Sequence, residues 1–182
     1  MKYAMAVAHP DDEVIFGGGI IACHPDLDWT VICCSTPRVD PIRVNRFYRA
    51  VEKLGVNAAS VIDVQERIDN VDGLAFLDLE RFDHIVTHGA AGEYGHENHK
   101  QVHRFVRERY GHKRLSFFGW PTGEHCLNLN AQQQGLVNDA LRCYNHVSPL
   151  DGKPKWEALI ERYNLNFERV YYDGDKIGLP AV

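Results

Sequence analysis

The chain has 182 residues, 45% hydrophobic and 25% charged, enough for one compact domain with a sizeable core and too short for a second at about 150 residues each. Twenty Lys and Arg against twenty-five Asp and Glu leave a formal charge of −5, so no cationic field gathers phosphate backbones and nucleic acid is not an expected partner. Five scattered cysteines make no disulfide framework; the apolar stretch after Lys2 is too short for a signal peptide and no run approaches a membrane span, so a soluble cytoplasmic protein with no membrane partner is expected.

Tyr3 to Ala8 is a short apolar run closed by Pro10 and reads as a buried strand. Val14 to Cys23 is apolar and too long for a strand, so it reads as a helix starting near Asp11 and Asp12, residues suited to a helix N-terminus. Trp29 to Cys34, rich in β-branched residues, is a second strand. Asp40 to Leu54 carries Ile42, Phe47, Ala50, Val51 and Leu54 at helical spacing and stops at Gly55. A third strand falls at Ser60 to Ile62 and a fourth at Asp83 to Thr87. The fourth opens into HGAAGEYGHENH, a loop with three glycines of the kind that carries function. Asn98 to Arg109 resumes helical spacing, Leu115 to Phe118 is a fifth strand, Ala131 to His146 and Lys155 to Tyr163 are helices, and Phe167 to Tyr172 is a closing strand. Ser148 to Pro154 is a surface turn. This alternation predicts an α/β fold, a Rossmann-like three-layer sandwich with a mostly parallel sheet and a ligand site at the carboxyl ends of the strands.

Histidine is the unusual component, because five of the ten lie between His84 and His103. Strand one ends in His9-Pro10-Asp11-Asp12-Glu13 and strand four ends in the loop carrying His96 and His99, so both motifs reach the same sheet edge. Singly, the acids could cap a helix and the histidines could be solvated; together they offer imidazole and carboxylate, a set suited to zinc with one position left for water. His9 and Asp12 can close on one ion across the turn, with His99 the best-placed third ligand and His103, one helical turn on, the second choice. Adjacent side chains diverge, so one of Asp11 and Asp12 binds metal while the other handles a proton. His96-Glu97-Asn98-His99 is one residue short of HExxH, and there is no paired CxxC.

AHPDDE at Ala8 to Glu13, followed by Gly17-Gly18-Gly19, and the segment Thr87 to His99 resemble the zinc-dependent N-deacetylases of the LmbE-like (PIG-L) family, which remove acetyl from N-acetylglucosamine-type sugars and related amides. Arg43 with Leu54-Gly55-Val56 is similar to the family's arginine-bearing helix, and Phe167-Glu168 resembles its closing strand. The resemblance spans nearly the whole chain. It implies His9, Asp12 and His99 as ligands of Zn2+ (or Fe2+), Asp11 as general base, His96 as the histidine that stabilises the oxyanion or protonates the leaving amine, and Arg43 as the residue that holds the substrate. The implied partner is a small amino-sugar or sugar-conjugate substrate, with a homo-oligomer left open. Asn98 stands where the family has Asp, a change expected to act on the charge of His96, and Arg46 stands where the family has Glu.

Two imidazoles and one carboxylate leave zinc a net positive charge that lowers the pKa of water toward about 7. Asp11 takes the proton as water attacks the amide, His96 helps stabilise the oxyanion, and acetate and an amine leave. Three alternatives stand beside this reading. A relative that binds metal without turnover is suggested by Asn98, and a non-haem iron enzyme by the two-His-one-carboxylate set. A nucleotide-binding module is suggested by the GxGxxA letters from Gly17 to Ala22 with Asp40 following. Tyr94, Trp120 and His125 are left without a role, and the cysteines read as small buried hydrophobes.

Overall fold

The computed structural model describes residues 1–35, 41–64, 71–119, 122–144 and 169–178. Its strands are β1 (Lys2–Val7), β2 (Asp28–Ser35), β3 (Ala58–Val64), β4 (His84–Thr87), β5 (Arg114–Gly119), β6 (His125–Asn128) and β7 (Arg169–Gly174). The helices are α1 (Asp12–Ile15), α2 (Gly18–Cys23), α3 (Pro41–Lys53), α4 (Gly92–Gly95), α5 (Glu97–Tyr110) and α6 (Ala131–Arg142), with a 3-10 turn at Val71–Phe76. Among the described residues the sheet has seven strands in the order β3-β2-β1-β4-β5-β7-β6. The first five are parallel, and β7 joins β5 and β6 antiparallel.

β1 sits at the centre because both of its faces are apolar. Tyr3, Met5 and Val7 point into one core with Val14, Ile20, Phe47, Val51 and Val137. Ala4 and Ala6 point into the other with Leu74, Leu77, Val102 and Phe105, as alternation along a strand requires. Covering both faces with helices is what a parallel sheet needs, and the three-layer expectation is met. The site follows from the strand order. From β1 the chain moves outward to β2 and β3, then returns to β4 on the other side, so β1 and β4 border the switch point where α/β sheets open a crevice. The register pairs Ala6 with Thr87, and the Thr87 hydroxyl donates to Ala6 O at 2.8 Å, so the chain after both strands departs side by side.

α3 buries Phe47, Ala50, Val51 and Leu54 and ends as its glycine predicts. Gly55 has φ +74, and the N–H groups of Gly55 and Val56 reach back to Glu52 O and Val51 O at 3.1 Å each, the Schellman arrangement. Ile42, at the same spacing, is exposed, because it precedes the turn that meets the core. α6 starts where expected, with Asn130 and Gln133 forming a reciprocal capping box.

Two elements differ from expectation. The helix read over Val14 to Cys23 is broken into α1 and α2 at Phe16 and Gly17. A Cβ on Gly17 would lie 2.3 Å from Met5 Sδ and 2.9 Å from Glu13 O, and one on Gly19 would lie 2.2 Å from Val170 Cγ2. The glycines therefore let this segment settle on β1 and β7, which a straight helix would not do. β6 was not anticipated, because four residues with alternating half-buried and exposed positions give too little pattern to read. The readings for Asp40, Trp120, Ser148 to Pro154, Lys155 to Tyr163, Phe167-Glu168 and the helix end at His146 lie outside the described residues.

His84 is buried at the amino end of β4, its Nε2 2.7 Å from Ser116 Oγ. The Ser116 hydroxyl donates to Asp175 O, so Nε2 carries the proton and the buried Nδ1 has no hydrogen-bond partner. Burial, helped by Arg114, pushes this histidine from 6.5 down to about 4. The folded state thus binds fewer protons than the unfolded chain between those values, and stability should fall as pH drops from 6.5 toward 4 and level off below. Chemical denaturation across this range should show His84→Gln losing that share of the slope while matching the wild-type trend above pH 7.

Candidate metal centre

The segments leaving β1 and β4 meet around one carboxylate. Asp12, at the start of α1, is 2% exposed. Its Oδ2 accepts the His9 backbone N–H at 2.8 Å and lies 3.3 Å from His9 Nδ1, 3.3 Å from His99 Nε2 and 3.5 Å from His88 Nε2. His96, the N-cap of α5, completes the group. Its ring is 4.7 Å from that of His9 and 4.6 Å, stacked, from that of His99; the rings of His9 and His99 are 5.4 Å apart. His9, His96 and His99 form one set close enough to share an ion, and Asp12, His88 and His99 form another. His9, Asp12, His96 and His99 are neighbours here, but the expected ligand triad of His9, Asp12 and His99 is divided between the two sets, which have His99 in common. His103 lies outside both sets, its Nδ1 2.8 Å from His88 O and its ring over Phe117.

These residues fit a divalent cation. Tetrahedral ligation at about 2.0–2.1 Å puts ligand atoms roughly 3.3–3.4 Å apart, the separation of Asp12 Oδ2 from both His9 and His99. His96 Nδ1 is buried and has no hydrogen-bond partner, a state that costs free energy without a ligand, and His99 Nε2 faces Asp12 Oδ2 at 3.3 Å. In the metal-free protein, burial alone would raise the Asp12 pKa, but His99 and His9 outweigh it and hold the carboxyl well below the usual range. His99 loses by burial yet is carried up to about 10 by Asp12 and Glu93. Burial and the charges of His9 and His99 push His96 down to about 4.

Spacing did not reveal His88 and Glu93. His88 is the first residue after β4, and its Nε2 accepts the Ala8 backbone N–H at 2.9 Å. Its Nδ1–H therefore faces Glu93 Oε2, at 2.9 Å. Glu93 Oε2 also takes His99 Nδ1, and Oε1 accepts the Gly89 N–H at 2.8 Å. The one available signal was a glutamate placed between Gly92 and Gly95, whose φ values are +67 and +90.

Asp11 and Arg43 stand beside this group. Asp11 has φ +116, strained for a residue with a Cβ, and its carboxylate pairs with Arg43 Nη2 at 2.6 Å. Arg43 Nε–H donates to Pro10 O at 2.9 Å, so the arginine expected on substrate also braces the turn that carries the expected base. Glu13 Oε2 accepts the Asp11 N–H at 2.9 Å, and Tyr144 donates its hydroxyl proton to Glu13 Oε1. Burial pushes Glu13 up to about 8. The neighbour of Asn98 also differs from expectation: its Nδ2 lies 3.0 Å from His9 Nε2. A carboxylate there would only accept, fixing the proton on Nε2, whereas an amide can present a donor or an acceptor. The exchange of Asp for Asn therefore bears on the tautomer of His9.

No family model matches the chain. It is 28% identical to Uncharacterized protein L374 of Acanthamoeba polyphaga mimivirus over 127 residues, 56% of this chain and 55% of that protein, so the match spans about half the length of the curated relative. Among solved structures it resembles GalB, the 4-carboxy-2-hydroxymuconate hydratase of Pseudomonas putida KT2440, with TM-score 0.67 and 17% identity over 100% of this chain and 98% of that one. It also resembles the N,N'-diacetylchitobiose deacetylase of Pyrococcus horikoshii, with TM-score 0.68 and 16% identity over 95% of this chain and 82% of that one. The expected kinship is borne out at the level of the fold, which carries a hydratase as well as a deacetylase.

Tyr144→Phe should leave Glu13 Oε1 without its donor and destabilise the protein by about 1–3 kcal/mol. Urea unfolding with an unchanged m-value and a lower midpoint would register this, and an unmoved midpoint would show that Tyr144 does not support the Asp11 turn.

Proposed function

We propose that this protein is a metal-dependent hydrolase that removes the acetyl group of an N-acetylated amino sugar or a related amide. The observation carrying this reading is the approach of His9 Nδ1 and His99 Nε2 to Asp12 Oδ2, at 3.3 Å each, next to a strained Asp11. A divalent ion, zinc or iron(II), held by these three would supply Lewis acidity, lowering the pKa of water from 15.7 toward about 7 and polarising the amide carbonyl. Asp11, oriented by Arg43, accepts the proton as water adds to the carbonyl carbon. His96 donates to the oxyanion, an interaction worth roughly 2.7–4 kcal/mol in comparable sites. When the C–N bond breaks, the proton passes to the leaving nitrogen, and acetate and a free amine result. Arg43 holds the substrate at the rim, so substrate contact and base orientation meet in one side chain.

The diacetylchitobiose deacetylase of like fold supports the amino-sugar reading. The hydratase of like fold makes addition of water to an activated alkene the second reading, which uses the same base and ion without C–N cleavage. Metal analysis of the purified protein, followed by assay of amine release from N-acetylglucosamine and N,N'-diacetylchitobiose, tests the first. Bound metal with alkene hydration and no amine release would replace it with the second, and metal with neither activity would favour a non-catalytic relative.

Asp11→Asn should retain metal and lower turnover by about 10²–10⁴-fold, the usual worth of a general base; unchanged turnover would remove Asp11 from the reaction. His99→Ala should lose the metal, read as ions per chain after dialysis, and full retention would remove His99 from the ligand set.

A further inference from the structure

Of the two triads that could share an ion, one contains His88, yet its hydrogen bonds point to a different task. A ligating imidazole needs a free lone pair on the nitrogen that faces the metal. The lone pair of His88 Nε2 is taken by the Ala8 backbone N–H at 2.9 Å, inside the strand-end structure and fully buried. Its other nitrogen therefore carries the proton and donates it to Glu93 Oε2. His99 contributes its own Nδ1–H to that same oxygen, so Nε2, 3.3 Å from Asp12 Oδ2, is the nitrogen left to exchange its proton for a metal. The Gly89 N–H holds the far oxygen of the carboxylate at 2.8 Å.

We infer that Glu93 is a positioning residue for the metal centre, which fixes the tautomer and ring orientation of His99 while His88 braces it and does not ligate. The inference rests on the metal-site reading above and goes beyond it by assigning work to two residues outside the proposed ligand set. Glu93 suits the task because one carboxylate can accept from three donors at once, whereas a glutamine has a single oxygen. If Gln kept that oxygen toward the imidazoles, its amide would face the Gly89 donor. If it turned over, the amide would drive both imidazoles to the opposite tautomer and put a proton where His99 must offer its lone pair. The backbone of Glu93 is itself strained, with φ +54 and ψ −86, a conformation kept only where the surroundings enforce it.

The test compares the full-length protein with Glu93→Gln and His88→Gln, measuring Zn2+ affinity by chelator competition, ions bound per chain, and thermal midpoints with and without Zn2+. Glu93→Gln should still bind one ion, about 10- to 100-fold more weakly, with a smaller Zn2+-induced rise measured from its own, lower metal-free midpoint. An affinity within about twofold of wild type would overturn the positioning role. His88→Gln keeps a donor and an acceptor and should hold one ion per chain. Complete loss of zinc from a folded His88→Gln would make His88 a ligand and overturn the assignment, and this arm stands even if Glu93→Gln does not fold. Failure of the wild type to bind Zn2+ would instead remove the metal reading itself, a result distinct from wild-type binding that Glu93→Gln leaves unchanged.

Discussion

A carboxylate sealed from water has to be surrounded by positive charge or hydrogen-bond donors, and Asp12 shows how much of a fold such a requirement can organise. It is buried to 2% exposure, and its neighbours come from segments about 80 residues apart, His9 on one side and His88 and His99 on the other. Only adjacent parallel strands with a fixed register can deliver both segments to one point, and the pairing of Ala6 with Thr87 does so. The two apolar faces of β1 hold that pairing in place, so burying hydrocarbon in the middle of the sheet is what makes a charged cluster affordable at its end.

Among the described residues two non-glycine residues have positive φ, Asp11 and Glu93, and both belong to this cluster. Such conformations cost about 1–3 kcal/mol each, a noticeable fraction of the roughly 5–15 kcal/mol that separates folded from unfolded domains. Each is over-determined by its contacts. Asp11 is held through its carboxylate by Arg43 and through its N–H by Glu13; Glu93 is held by two imidazoles and one backbone N–H. The strain sits where side chains must point away from the direction the local chain would choose.

What the sequence disclosed and what it withheld divide along a physical line. Strands buried on both faces, such as β1 and β2, announce themselves as apolar runs, and α3 by its spacing and terminal glycine. His9, Asp12, His96 and His99 were legible because strand ends in an alternating α/β chain converge, so motif positions translate into neighbours. The break at Gly17 was hidden because its cause is tertiary: Met5 Sδ occupies the space a Cβ would need. His88 and Glu93 were hidden because an inward-turned histidine reads the same as a solvated one until its partners are known. The same applies to Asn98, whose contact with His9 crosses the site and cannot be inferred from its closeness in sequence to His96.

The antiparallel end of the sheet bears on how the molecule assembles. β7, from residues 169–174, lies between β5 and β6, from residues 114–119 and 125–128. A ribosome would therefore have released every strand of the parallel portion, together with His9, Asp12, Glu93 and His99, before the one that closes this side. Until then the two flanking strands would expose open edges of the kind that recruit other chains. Molecules caught in that interval would be the aggregation-prone population, even with the cluster around Asp12 already formed.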